Sequence, residues 1–126
     1  MEKKVRVEKI HPYELGITGE KIAHRFLSNK NYKIIEKGFR LYRGEIDIVA
    51  YDGRTLVFVE VKTRRSHTAG FPEDAVTLNK QKQIKKIALG YCALKNQLEV
   101  ESRFDVISVY FDKKDGFSIS HIEDAF

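Results

Sequence analysis

Two apolar runs rich in β-branched residues, EIDIVAY (Glu45 to Tyr51) and LVFVEVKT (Leu56 to Thr63), flank the dipeptide Asp52-Gly53. Such runs on either side of an Asp-Gly turn signal predict two adjacent strands joined as a hairpin. Four charges fall inside them: Glu45, Asp47, Glu60 and Lys62. Burying an unpaired charge is expensive, so ionised side chains within apolar strands require an account.

Side chains alternate along a strand, so Glu45 and Asp47 share one face of the first run and Glu60 and Lys62 one face of the second. Whether the two sets face each other depends on the turn. A two- or four-residue loop puts Asp47 and Glu60 on the same face, and a three-residue loop without a bulge puts them on opposite faces. With the four-residue loop Asp52 to Thr55, Asp47 lies across from Glu60 and Glu45 across from Lys62. Two neighbouring carboxylates repel and stay ionised at neutral pH when a cation lies between them. An all-oxygen site that keeps some water is what Mg²⁺ prefers, and Lys62 can reach the same space. The plain alternative is a set of cross-strand ion pairs, Glu45 with Lys62 and Asp47 with an arginine such as Arg43.

The remaining elements follow from period and punctuation. Pro12 to Asn29 is expected to be a helix, with Leu15, Ile22, Ala23, Phe26 and Leu27 as its apolar stripe. Gly16 and Gly19 within it weaken the helix unless something needs the space they leave. Tyr32 to Phe39 is expected as a strand. Arg64 to Pro72 is expected as a polar loop, and about Thr77 to Lys95 as a second helix with Ile84, Ile87, Ala88, Tyr91 and Leu94 inward. Two more extended runs, Phe104 to Phe111 and Phe117 to Ile122, are joined by a turn over Lys113 to Gly116. This alternation predicts an α/β fold with a mixed central sheet flanked by helices.

A chain of 126 residues suffices for one core and is short for two ordinary domains, so a single domain over 1–126 is expected, with 1–11 as a flexible or edge-pairing arm. One cysteine, Cys92, makes no internal bridge and is expected as a small buried hydrophobe. No run approaches a membrane span and MEKKVRVEKI lacks a signal peptide's apolar stretch, so a cytoplasmic protein with no membrane partner is expected. The formal charge of +5 is localised: Ala75 to Leu98 has no acid and carries Lys80, Lys82, Lys85, Lys86 and Lys95, leaving 18 basic against 18 acidic residues elsewhere. A local basic element is the footprint of a polyanion partner, or else a solubilising face. Lys80 falls on the buried stripe of its helix and Lys82 and Lys86 on the opposite side. None of His11, His24, His67 and His121 has metal-ligand spacing, and each is expected at the surface. Asp105 is expected to pair with Arg103.

Asp47 followed by Glu60-Val61-Lys62 resembles the PD-(D/E)xK nuclease motif, with Ile46-Asp47 in place of Pro-Asp. The ordered set G-x-x-G-E (Gly16 to Glu20), R-G-E-I-D (Arg43 to Asp47), F-V-E-V-K-T-R (Phe58 to Arg64), Lys80 and R-F-D-V (Arg103 to Val106) resembles the YraN, or UPF0102, family of small bacterial proteins. The match runs from about Gly16 to Val109. That resemblance implies a restriction-endonuclease-like fold, similar to archaeal Holliday junction resolvases, and with it a possible homodimer. It also implies a nuclease role on nucleic acid, with DNA the expected partner and branched or repair intermediates as candidate substrates. The expected site then comprises Asp47 and Glu60 as ligands of Mg²⁺ or Mn²⁺ with the Val61 carbonyl, and Glu20 on the first helix, binding the metal directly or through water. Lys62 would act on the attacking water. Arg43, Arg64, Arg65, Lys80, Lys82, Lys85 and Lys86 are expected on backbone phosphates. The rivals are a catalytically silent nucleic-acid-binding module on the same fold and a protein interaction domain.

Overall fold

The computed structural model describes residues 12–65, 76–112 and 116–126. The expected arm over 1–11, most of the loop after Arg64, and Lys113 to Asp115 of the last turn lie outside these described residues, as do His11 and His67. In chain order the elements are α1 (Pro12–Asn29), β1 (Lys33–Leu41), β2 (Gly44–Asp52), β3 (Thr55–Arg64), α2 (Leu78–Leu94), β4 (Ser102–Phe111) and β5 (Phe117–Ile122).

The five strands form one sheet in sequential order, antiparallel except where β3 runs parallel to β4. A parallel pair needs a long crossover, and α2 is carried in it. The result is an α/β fold with a mixed sheet, consistent with a restriction-endonuclease-like arrangement. Along β3 the alternation is strict: Val57, Val59 and Val61 pack with Leu15, Ala23 and Leu27 of α1, while Leu56 and Phe58 pack with Ile84, Ile87 and Tyr91 of α2. The two helices therefore cover opposite faces. Leu94, expected inward, is instead 65% exposed. It ends the last turn of α2, beyond the stripe that meets the sheet. Among the described residues no helix is long and apolar enough to cross a membrane.

The β2–β3 hairpin pairs Asp52 with Thr55 and Tyr51 with Leu56, so Gly53 and Arg54 make the loop and the register equals the one that sets Asp47 against Glu60. Gly53 at φ 59° supplies the left-handed residue such a turn needs. The β1–β2 hairpin is tighter than its sequence announces. Tyr42 and Arg43, both left-handed at φ 53° and 61°, form its two-residue loop between the paired Leu41 and Gly44. Neither is a usual residue for that turn. Its tip is held against α2, because a Cβ on Gly44 would come within 2.7 Å of Gln83 and Ile87.

Beside the Asp52 end of β2 lies a buried polar network. Asp105, on β4, is fully buried and accepts from Arg103 Nε (2.8 Å) and Nη2 (2.9 Å), His121 Nε2 (2.8 Å) and the Asp124 N–H (3.0 Å). The expected Arg103–Asp105 pair is present. His121 corrects the expectation of a surface histidine: its side chain is 4% exposed, with Nδ1 3.0 Å from the Lys30 ammonium. Since Lys30 can only donate, Nδ1 accepts and the proton sits on Nε2, facing Asp105.

Candidate active site

The alternation of β2 slips at Asp47. Ile46 packs with the α2 cluster, yet Ile48, two residues on, packs with the α1 cluster. Pairing to β3 stops at Ile48–Val59. Beyond it Asp47 substitutes for the ladder: its Oδ2 accepts the Val61 N–H at 2.8 Å. β1 follows the slip, because Lys37 pairs with Ile48 and Phe39 with Ile46, and Gly38 between them sits at φ 65°. Glycine adopts that conformation without steric cost, so Gly38 lets β1 stay paired while β2 turns over.

Opening the ladder gathers charge between the sheet's two faces. Glu60, at 6% exposure, has Lys80 Nζ at 3.6 Å and Lys62 Nζ at 3.8 Å from the same Oε1. Both are ion-pair distances longer than an ideal hydrogen bond, with Lys80 the nearer of the two. Burial, then the neighbouring Asp47, push the Glu60 carboxyl up to about 7 against the pull of Lys80 and Lys62. Asp47 is raised too, chiefly by burial, with the Val61 N–H opposing, Glu45 adding and both lysines opposing. Glu20 reaches the cluster from α1 and is raised by burial, Asp47 and Glu45 in that order. α1 comes close because residue 19 is glycine: a Cβ there would overlap Thr63 Oγ1 on β3. Gly16, flagged with it, has open space where its Cβ would be.

The expected residues divide. Asp47, Glu60, Lys62 and Lys80 come together, and Glu20 joins Asp47 across a cavity of about 550 Å³ that Lys37 and His24 also line. Val61 joins through its N–H, and with Arg64 and Arg65 it lines a smaller cavity of about 330 Å³ that Glu20 shares. Arg43 is exposed at the β1–β2 turn. Lys82, Lys85 and Lys86 lie on the outward side of α2, Lys85 over Phe104 and Phe126 and Lys86 over the Tyr42 ring at 4.8 Å. The alternative ion pairs are not formed: Glu45 pairs with Arg40 at 3.6 Å and Lys62 with Glu60. Sequence reasoning missed Gly38, whose signal was a glycine inside a strand, and the lining role of Lys37 and His24, which had none.

Among the described residues no three His, Cys, Asp or Glu side chains converge as a ready-made metal cage. Two oxygen-only carboxylates that repel one another, with water to complete the shell, still fit a hydrated Mg²⁺ or Mn²⁺, which takes one or two protein carboxylates. They do not fit a closed structural site.

Comparison with known proteins agrees over the same stretch. The model of uncharacterised protein family UPF0102 matches residues 19–109. A UPF0102 protein of Geobacter sulfurreducens is 49% identical over 116 residues, covering 92% of this chain and 91% of that protein. One from Geobacter metallireducens is 50% identical over 117 residues, 93% and 95% of the two chains. One from Caldanaerobacter subterraneus subsp. tengcongensis is 44% identical over 122 residues, 95% of this chain and all of its own length. With the family's model spanning the helix, the hairpin and the crossover that build the carboxylate cluster, this chain belongs to the UPF0102 family.

Proposed function

We propose that the protein is a Mg²⁺- or Mn²⁺-dependent nuclease that hydrolyses phosphodiester bonds of DNA. The observation that carries it is the half-buried Asp47 beside the buried Glu60 where the β2–β3 ladder opens, both raised in pKa despite two lysines 3.6 and 3.8 Å from Glu60. The two lysines pair with Glu60 yet leave its carboxyl raised, which suits a site that takes a divalent cation.

Asp47 and Glu60 would hold the metal, with the Val61 carbonyl, and Glu20 would reach it through water. The ion supplies Lewis acidity toward a phosphate oxygen and offsets the charge that develops there. Lys62 orients the attacking water and stabilises its developing hydroxide. Lys80, beside Glu60, would reach a substrate phosphate held at the same site. Arg43, Arg64, Arg65, Lys82, Lys85 and Lys86 hold backbone phosphates without reading sequence. One observation favours the silent binding module: Lys62 and Lys80 lend Glu60 counter-charge from within the chain. Incubation with linear, single-stranded and four-way-junction DNA plus Mg²⁺ or Mn²⁺, beside Lys62→Ala, separates the two. Cleavage by wild type that Lys62→Ala abolishes supports the nuclease; binding without cleavage under either metal leaves the module.

A further inference from the structure

We propose that a groove between α1 and β5 receives an unpaired base of the strand whose phosphodiester lies at the Asp47–Glu60 site, so that the preferred substrate carries a single-stranded segment beside the scissile bond. The inference rests on the hydrolytic reading above and extends it to substrate structure.

The groove, of about 390 Å³, is floored by Ile22, Phe26, Phe117 and Ile119 and rimmed by Lys21 and Arg25. The same Lys21 and Arg25 also line the cavity that holds Glu20 and Asp47. One cationic edge therefore runs from the carboxylates into the groove. The two residues stand one helical turn apart, about 6 Å between their Cβ atoms, on the scale of successive phosphates along an extended strand. Both are exposed, and neither forms an ion pair among the described residues.

Phe117 sets the chemistry of the floor. It is 53% exposed, while Phe26 beside it is half-buried and braced edge-on against His121. An exposed aromatic ring in a groove rimmed by two unpaired cations suits a nucleobase, whose ring stacks while its phosphates meet the cations. A duplex would present phosphates to Lys21 and Arg25 but keep its bases stacked within the helix, leaving Phe117 wet. At the rim, Asn29 offers amide donors and an acceptor to a base edge.

The test uses fluorescence anisotropy in EDTA, which leaves every strand intact, with a blunt DNA duplex and the same duplex bearing a single-stranded 5′ or 3′ tail. Wild type is expected to prefer one tailed form by roughly tenfold, the scale of one base–aromatic stack. Phe117→Ala should erase that preference and leave blunt-duplex affinity unchanged, and Phe117→Trp should retain it. Replacing Lys21 and Arg25 by Gln should weaken tailed-duplex binding and flatten its salt dependence. Equal wild-type affinity for tailed and blunt forms, or a preference that survives Phe117→Ala, overturns the proposal. Repeating the series with Mg²⁺ or Mn²⁺ keeps the two readings apart. Cleavage without tail preference sinks the groove and spares the nuclease, and a Phe117-dependent tail preference without cleavage does the reverse.

Discussion

If Glu60 is as charge-strained as its surroundings make it, removing its charge should stabilise the protein above neutral pH. The folded state raises this carboxyl from an ordinary 4.5 to about 7, through burial first and Asp47 second. The native protein therefore binds the proton more tightly than the unfolded chain. The stability tied to that proton is fully present below pH 4.5 and is lost as pH rises through about 7. At about 1.4 kcal/mol for each tenfold change in proton affinity, the loss across that window is about 3 kcal/mol. That is a large share of the roughly 5–15 kcal/mol that holds a domain folded. Glu60→Gln keeps the shape and removes the titration. In EDTA, urea midpoints measured from pH 5 to 8 should be similar for the two proteins at the acid end. The variant should be ahead by roughly 2–3 kcal/mol at pH 8, with unchanged slope m. Parallel curves across that range would refute the reasoning, because Lys62 and Lys80 would then offset the burial of Glu60 in full.

Mg²⁺ or Mn²⁺ should raise the wild-type melting temperature by binding the native state only, about 2.7 kcal/mol at a hundredfold excess over the dissociation constant; the same rise in Asp47→Asn and Glu60→Gln would place the metal elsewhere. Lys62→Ala should abolish cleavage with DNA affinity kept within a few fold. Neutralising Lys82, Lys85 and Lys86 together should weaken binding, flatten its salt slope by roughly one unit per lost contact, and spare cleavage at saturating DNA; equal binding losses from both changes would contradict the division of roles. Asp105→Asn should cost roughly 3–5 kcal/mol by thermal or urea unfolding, since it leaves the half-buried Arg103 guanidinium facing a neutral amide at a fully buried position; a loss under 1 kcal/mol would mean that Asp52 alone satisfies Arg103.

The elements that sequence reveals best are those whose signals are local. α1 begins and ends at the expected residues, and the β2–β3 hairpin has the register that brings Asp47 to Glu60, because apolar period and a turn glycine act over a few residues. The β1–β2 turn was not legible, since Tyr42 and Arg43 take left-handed conformations held by the packing of the hairpin tip on α2, a contact distant in sequence. His121 failed for the same reason: its burial depends on α1, β1 and β4 closing around it. Shared parity pointed to Asp47, Glu60 and Lys62, and the family resemblance to Glu20, yet parity does not hold through Asp47. The strand turns over there, which lets α1's Glu20 and β3's Glu60 approach one carboxylate from opposite faces.

Two buried acids on neighbouring strands show how the same side-chain chemistry is put to different ends. Asp105 and Glu60 sit one step apart across the parallel β3–β4 ladder, where Val59 pairs with Asp105 and Glu60 with Val106, and both are nearly inaccessible. Burial pushes the Asp105 carboxyl up, but hydrogen bonds from His121, Arg103 and the Asp124 N–H outweigh it, so the group ends below the usual range. Its contribution to stability is present above pH 3.8 and lost only as pH falls further. Glu60 has two ammonium groups at 3.6 and 3.8 Å, but burial and the neighbouring Asp47 outweigh them, and it ends near 7. The ladder opens at Asp47, with a left-handed glycine at Gly38 beside it, and there the second carboxylate lies next to the first. Asp105 is thus held by four hydrogen bonds, whereas Glu60 keeps a raised carboxyl beside Asp47, the arrangement on which the metal-site proposal rests.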